Sequence, residues 1–149
     1  MKLRTHAPSD RNALYEIWHA AVTATHDFVS PEDMVEISKA VREEYLPVAD
    51  FVVAEDDEGR AVGFMGLTGR NIDALFLHPR AHRQGIGRAL VDHAVATAGP
   101  VLTVDVNEQN RGAVAFYRHL GFEPVGHSEL DDEGRPYPLL HLRLVREDG

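Results

Sequence analysis

The sequence predicts one α/β domain over residues 1–149, a mixed sheet with helices on it. Three observations carry that expectation. Strand-like and helix-period runs follow one another in the order β α α β β β α β α β β. Two hairpin-like tips share the five letters DDEGR, at Asp56–Arg60 and Asp131–Arg135; their flanks do not match, so they mark one turn used twice, not a duplicated domain. A strand also runs straight into the glycine turn and helix start HPRAHRQGIGRAL, His78 to Leu90.

Each element has a local reason. Lys2 to His6 reads as a first strand, and Ser9 is placed to cap a helix whose inner face is Leu14, Ile17, Trp18, Ala21 and Val22. Ser30 as N-cap, Pro31 at the first helical position and Glu32 and Asp33 in the first turn open a second helix. Met34, Ile37, Val41 and Tyr45 are its apolar face, and Pro47 ends it. Phe51 to Glu55 and Ala61 to Thr68 are strands around the first tip, with Phe51, Phe64 and Met65 as core. Ile72 to Leu77 is a strand, and Gly87 to Ala98 is a helix with Leu90, Val91, Ala94 and Val95 inward. Val101 to Val106 is a strand, and Asn110 to Leu120 a helix closed by Gly121. Phe122 to Gly126 and Leu139 to Val145 are the last strands.

Composition narrows the chemistry. There is no cysteine, which excludes thiol catalysis, disulfides and cysteine-based zinc sites and fits a reducing cytoplasm. The start, MKLRTHAPSD, lacks the apolar core of a signal peptide, and no apolar run approaches a membrane span. Fifteen basic against 24 acidic side chains give a net charge of -9, which disfavours nucleic acid and anionic lipid and favours a cationic amine. Against this background Ala74 to Val91 contains no acid, yet holds Arg80, Arg83 and Arg88.

A strand, a glycine turn and a helix start can bind phosphate, because the first amides of a helix have no intrahelical partner and carry partial positive charge. Gly85 and Gly87 would let a diphosphate approach the backbone. Taken alone, the segment is equally a plain turn with solvated arginines. A dinucleotide fingerprint fails, because its third glycine falls on Leu90, and the Gly-Lys-Ser/Thr ending of a Walker loop is missing.

His82-Arg83-Gln84-Gly85-Ile86-Gly87 resembles the acyl-CoA diphosphate loop of the GCN5-related N-acetyltransferase (GNAT) family, Gln/Arg-x-x-Gly-x-Gly/Ala, with His82 departing from the usual first residue. The family's second motif, Asn-x-x-Ala-x-x-Phe-Tyr-x-x-x-Gly-Phe, falls without a gap on Asn110, Ala113, Phe116, Tyr117, Gly121 and Phe122. THDFVSPEDM, VNEQN and DEGRPYPLLHL further resemble the YjaB-like bacterial subgroup.

The resemblance implies the GNAT acyl-CoA N-acyltransferase fold, a mostly antiparallel sheet in which one parallel pair, Ile72 to Leu77 and Val101 to Val106, splays apart. It implies acetyl-CoA as co-substrate and no metal. His78 and His82 are four apart, but Pro79 argues against a shared helical face, and no carboxylate ligand is near in sequence. Cofactor contacts fall on Leu75, Phe76 and Leu77, on His82, Arg83, Gln84, Gly85, Ile86, Gly87 and Arg88, and on Asn110 and Tyr117. Backbone groups of the strand would hold the pantetheine arm, and the Leu77 amide would polarise the thioester carbonyl. Tyr117 stands where the family keeps its general acid; without the motif it reads as core.

A lysine-like amine at pH 7 must lose a proton at a cost of roughly 4.6 kcal/mol before it attacks. Two carboxylates compete as base. Asp105 lies five residues before Asn110, an offset at which some relatives carry Glu; Asp73 shares a strand face with Asn71, where others do. Either is also readable as solvated or paired with an arginine. His26, Asp27 and Phe28 lie where the family builds its acceptor pocket. The expected function is acetyl transfer to a primary amine, on a small molecule or a protein lysine, by direct attack in a ternary complex, by a monomer or homodimer. The alternative is a non-catalytic acyl-CoA-binding regulatory module, which needs the loop but not Tyr117.

Overall fold

The computed structural model describes residues 1–25, 27–47, 50–82 and 84–146. The strands are β1 (Lys2–Thr5), β2 (Phe51–Glu55), β3 (Ala61–Thr68), β4 (Asn71–Leu77), β5 (Val101–Asn107), β6 (Glu123–Ser128) and β7 (Leu139–Val145). The helices are α1 (Arg11–Thr25), α2 (Pro31–Ala40), α3 (Ile86–Ala98) and α4 (Arg111–His119). The element order is the expected one. The strands form one sheet in the order β1-β2-β3-β4-β5-β7-β6. Antiparallel registers join β1 to β2, β2 to β3, β5 to β7 and β6 to β7. The parallel pair is β4 with β5, and its register comprises Asn71↔Thr103 and Ile72↔Val104.

The chain folds as two compact units, residues 1–67 with 74–90, and residues 68–73 with 91 onward. In the first, Leu14, Ile17, Trp18 and Val22 of α1 bury against Leu46, Phe51, Val53, Phe64 and Ala74. Met34, Ile37, Val41 and Tyr45 pack against that cluster, as their spacing predicts. Phe51 sits edge-on to both Phe64, at 5.2 Å between centroids, and Tyr45, at 5.4 Å. Ser30 caps α2 as expected, its hydroxyl accepting from the Asp33 amide at 3.1 Å.

Ser9 is not a cap. It lies inside a 3₁₀ turn, Pro8–Asp10, that leads into α1, and Asp10 does the capping by accepting the Ala7 amide at 2.7 Å. Arg4 holds the same carboxylate through two bonds of 2.8 and 2.9 Å and reaches Glu55 at 2.8 Å, tying β1, β2 and the entry to α1 together.

In the second unit Leu102, Val104 and Val106 of β5 and Leu142 and Leu144 of β7 are buried with Ile72, Val91, Ala94, Tyr117 and Phe122. Strand alternation therefore turns Thr103, Asp105, His141 and Arg143 to the opposite face. The two DDEGR tips adopt one conformation. In each, the first Asp amide donates to the Arg carbonyl and its carboxylate accepts the Glu and Arg amides, at 2.8–3.0 Å. In each the glycine has positive φ, +80° at Gly59 and +78° at Gly134.

The Arg4 charge and hydrogen bonds hold the Asp10 carboxyl down to about 2, below its ordinary 3.8, against the opposing effect of burial. A lowered folded-state value means that this stabilisation is complete above about pH 4 and is lost as pH falls toward 2, about 2 kcal/mol in all. Asp10→Asn should therefore lower unfolding free energy by about 2 kcal/mol at pH 7, and the gap to wild type should close in urea melts run from pH 5 to pH 2.

Candidate active site

The phosphate-type loop belongs to the first unit. After β4, His78 caps a 3₁₀ turn, Pro79–Ala81, its Nδ1 accepting the Arg80 amide at 3.2 Å. Burial, then the Arg80 charge, holds the His78 imidazole below its usual range, so the positive charge of this turn comes from its arginines. Among the described residues, Arg80 and Arg88 have no acidic partner, so their charge is available to an anion. Gly85 takes φ +76°, and a Cβ there would meet no atom within 4 Å: the backbone conformation, not space, demands glycine. α3 begins one residue earlier than expected, at Ile86, which is buried, while His82, Gln84 and Arg88 are exposed. Arg83 lies outside the described residues.

The amides of β4 alternate between its two edges. The His78 amide donates to the Val62 carbonyl of β3 at 2.8 Å. Successive strand amides point to opposite edges, so the amides of Leu77 and Leu75 face away from β3. The strands lie close because residue 63 is glycine: a Cβ there would stand 2.6 Å from Leu77 Cδ2 and 3.2 Å from the Phe76 carbonyl oxygen.

The second unit holds the titratable candidates. Asp73 and Asp105 project from the same face of neighbouring strands. Asp73 accepts from the Asn71 amide at 2.7 Å and from the Thr68 hydroxyl, and Asn71 in turn accepts the Thr103 hydroxyl at 2.8 Å. Asp105 accepts from His141 Nδ1 at 2.6 Å, and His141 Nε2 meets the Ser128 hydroxyl at 2.7 Å. Among the described residues neither carboxylate is paired with an arginine.

Asn110 caps α4, its Oδ1 accepting the Ala113 amide at 3.1 Å, and its NH₂ makes no hydrogen bond among the described residues. Tyr117 is 6% exposed and packs edge-on to Phe116 and Phe122, at 5.0 and 5.2 Å. Its ring is thus core, as the packing reading held, and its hydroxyl has no hydrogen bond among the described residues. Burial raises its pKa, so the phenol keeps its proton.

Asp27 and Phe28 lie in the turn between α1 and α2, as expected, with Asp27 exposed; His26 lies outside the described residues. Among the described residues no group of three His, Asp or Glu is arranged to hold a metal ion, and no helix is long and apolar enough to cross a membrane. His141 and Ser128 were not among the sequence candidates. The alternation of Leu140, Leu142 and Leu144 with His141 and Arg143 marks the histidine as turned off the core, but nothing local names its partners.

A helix start behind a positive-φ glycine, arginines without an acidic partner among the described residues, and an Asn-capped helix carrying a buried tyrosine fit the acyl-CoA-dependent acyltransferase that the motifs imply. The model of the acetyltransferase (GNAT) domain matches residues 47–124, and the chain belongs to that family. It is 46% identical to the peptidyl-lysine N-acetyltransferase YjaB of Escherichia coli K12, over 97% of each chain. It is also 46% identical to the YjaB of Salmonella typhimurium LT2, over 95% of this chain and 97% of that one. The solution structure of apo YjaB from Escherichia coli superposes with a TM-score of 0.91, at 44% identity and 98% coverage of both chains.

Gly85→Ala separates conformation from ligand approach. It should lower stability by about 1 kcal/mol, from a side chain forced to positive φ. It should weaken coenzyme A binding by tenfold or more, because the methyl group occupies the approach to the backbone; melting temperature and titration calorimetry read the two effects separately.

Proposed function

We propose that this chain is a single N-acetyltransferase domain of a bacterial cytoplasm that moves the acetyl group of acetyl-CoA to the side-chain amine of protein lysine. The observation that carries the reading is the gapless second motif with Tyr117 in place, in a chain 46% identical to proteins named peptidyl-lysine N-acetyltransferases. The lack of cysteine and the bacterial relatives support the setting. The net charge of -9 supports a cationic acceptor over an anionic one.

In this reading the amides at the start of α3 and the side chains of His82, Arg83, Gln84 and Arg88 take the diphosphate of coenzyme A. Leu75, Phe76 and Leu77 take the pantetheine arm along the edge of β4 that faces away from β3, and the Asn110 NH₂ adds a donor. The Leu77 amide polarises the thioester carbonyl, where negative charge grows as the amine attacks. Asp105 or Asp73 supports removal of the ammonium proton, and His26, Asp27 and Phe28 line the acceptor side. Tyr117 gives its proton to the departing thiolate. Its raised pKa suits that task, since the acid is protonated at every physiological pH.

Tyr117→Phe should reduce kcat on a lysine peptide on the order of 10²-fold and leave acetyl-CoA affinity within twofold. The raised Tyr117 pKa also predicts no alkaline fall in wild-type kcat from this group below about pH 10. Thiol release assayed against lysine peptides and free amines tests both. Equal rates for the two proteins remove Tyr117 as the acid; tight cofactor binding without turnover on any amine supports the regulatory module instead.

A further inference from the structure

A row of aromatic rings crosses the first unit and ends on the strand to which the transferase reading assigns the thioester. Tyr45 stands 5.4 Å from Phe51, Phe51 5.2 Å from Phe64, and Phe64 5.7 Å from Phe76, centroid to centroid. Each step crosses to a new element, from the helical turn Val41–Tyr45 after α2 through β2 and β3 to β4. The inner rings have no space behind them. Phe51 and Phe64 are buried in one cluster with Leu14, Ile17, Trp18 and Val22 of α1. At the far end Gly66 makes the fit, since a Cβ there would stand 2.9 Å from Tyr45 Oη and 3.2 Å from Phe51 Cε1. Phe76 closes the row at the near end. It is half-buried and packs against the same cluster.

Residue 76 lies between Leu75 and Leu77, whose amides face away from β3. Its Cβ is separated from the Leu77 nitrogen only by its own Cα and carbonyl carbon. Phe76 meets the ring of Phe64, whereas Leu77 Cδ2 lies over the neighbouring Gly63, so the two side chains leave β4 on opposite faces. An acyl group whose carbonyl oxygen accepts from the Leu77 amide therefore has the Phe76 ring beside it, on the face that α1 covers.

We propose that Phe76 sets the acyl-chain length of this enzyme, admitting acetyl and excluding propionyl and butyryl, with Phe64 as the brace that keeps its ring in place. The inference rests on the transferase reading above and adds a specificity residue to it. A longer chain needs the volume that the Phe76 ring fills. To yield that volume the ring would have to press into Phe64 and the packed cluster behind it, and forcing extra volume into a filled core is unfavourable. A smaller side chain at position 76, or a smaller brace at position 64, supplies the volume directly.

The test is kcat/KM on one lysine peptide with acetyl-, propionyl- and butyryl-CoA as donors. Wild type should lose on the order of tenfold for each added methylene. Phe76→Ala should raise the butyryl-to-acetyl ratio on the order of tenfold or more, and Phe76→Leu should raise it by less. Phe64→Leu, with Phe76 intact, should also raise the ratio. The ratio is taken within one protein, so a general loss of activity cancels from it, and melting curves show which variants are folded. Wild type with equal kcat/KM for acetyl-CoA and butyryl-CoA overturns the proposal without any variant. Folded position-76 variants with the wild-type ratio overturn it too, and leave the transferase reading standing. A Phe64→Leu ratio equal to wild type overturns the bracing. A wild type that turns over no amine with any donor overturns the transferase reading. Titration calorimetry on wild type then decides the acyl-length proposal. Butyryl-CoA binding on the order of tenfold or more weaker than acetyl-CoA supports it, and equal affinities overturn it.

Discussion

The parallel register of β4 with β5 comprises Asn71↔Thr103 and Ile72↔Val104, both within the second unit. Every strand edge carries amides and carbonyls that need partners. The hydrogen bond from the His78 amide to Val62 decides which amides of β4 turn to β3, and so which ones, at Leu75 and Leu77, face away from it. Gly63 permits that spacing by leaving Leu77 and the Phe76 carbonyl the volume a side chain would take.

The second unit carries a polar sheet face, because the inward residues of β5 and β7 are aliphatic and buried and their neighbours along each strand turn the other way. On that face two short chains form: Thr68, Asn71 and Thr103 with Asp73, and Asp105 with His141, which also meets Ser128. The two carboxylates look equivalent by type and spacing. Their neighbours make them different, since one is held by a hydroxyl and a side-chain amide and the other by an imidazole whose second nitrogen meets the Ser128 hydroxyl.

Elements were legible where local chemistry alone sets them. Ser30-Pro31 opens α2, Asn110 opens α4, and the DDEGR tips close the same way twice, because caps and turns are satisfied within four or five residues. Ser9 failed as a cap for a non-local reason: Asp10 is pulled into place by Arg4 from β1, which no local pattern encodes. Tyr117 shows the limit of periodicity from the other side. Its spacing with Phe116 and Phe122 describes packing, which is true, and only the surrounding motif points to a second use for its hydroxyl.

The sequence by itself determined the order of elements, the acid-free arginine segment, the glycine at a positive φ and the Asn-x-x-Ala-x-x-Phe-Tyr helix, because each depends on residues close in the chain. Tertiary structure alone decided which β4 amides face away from β3, and that Asp105 meets His141, 36 positions away, which in turn meets Ser128. Such contacts come from sheet register. Register is a property of the assembled strands, fixed by which faces bury together, and it cannot be read from any one of them.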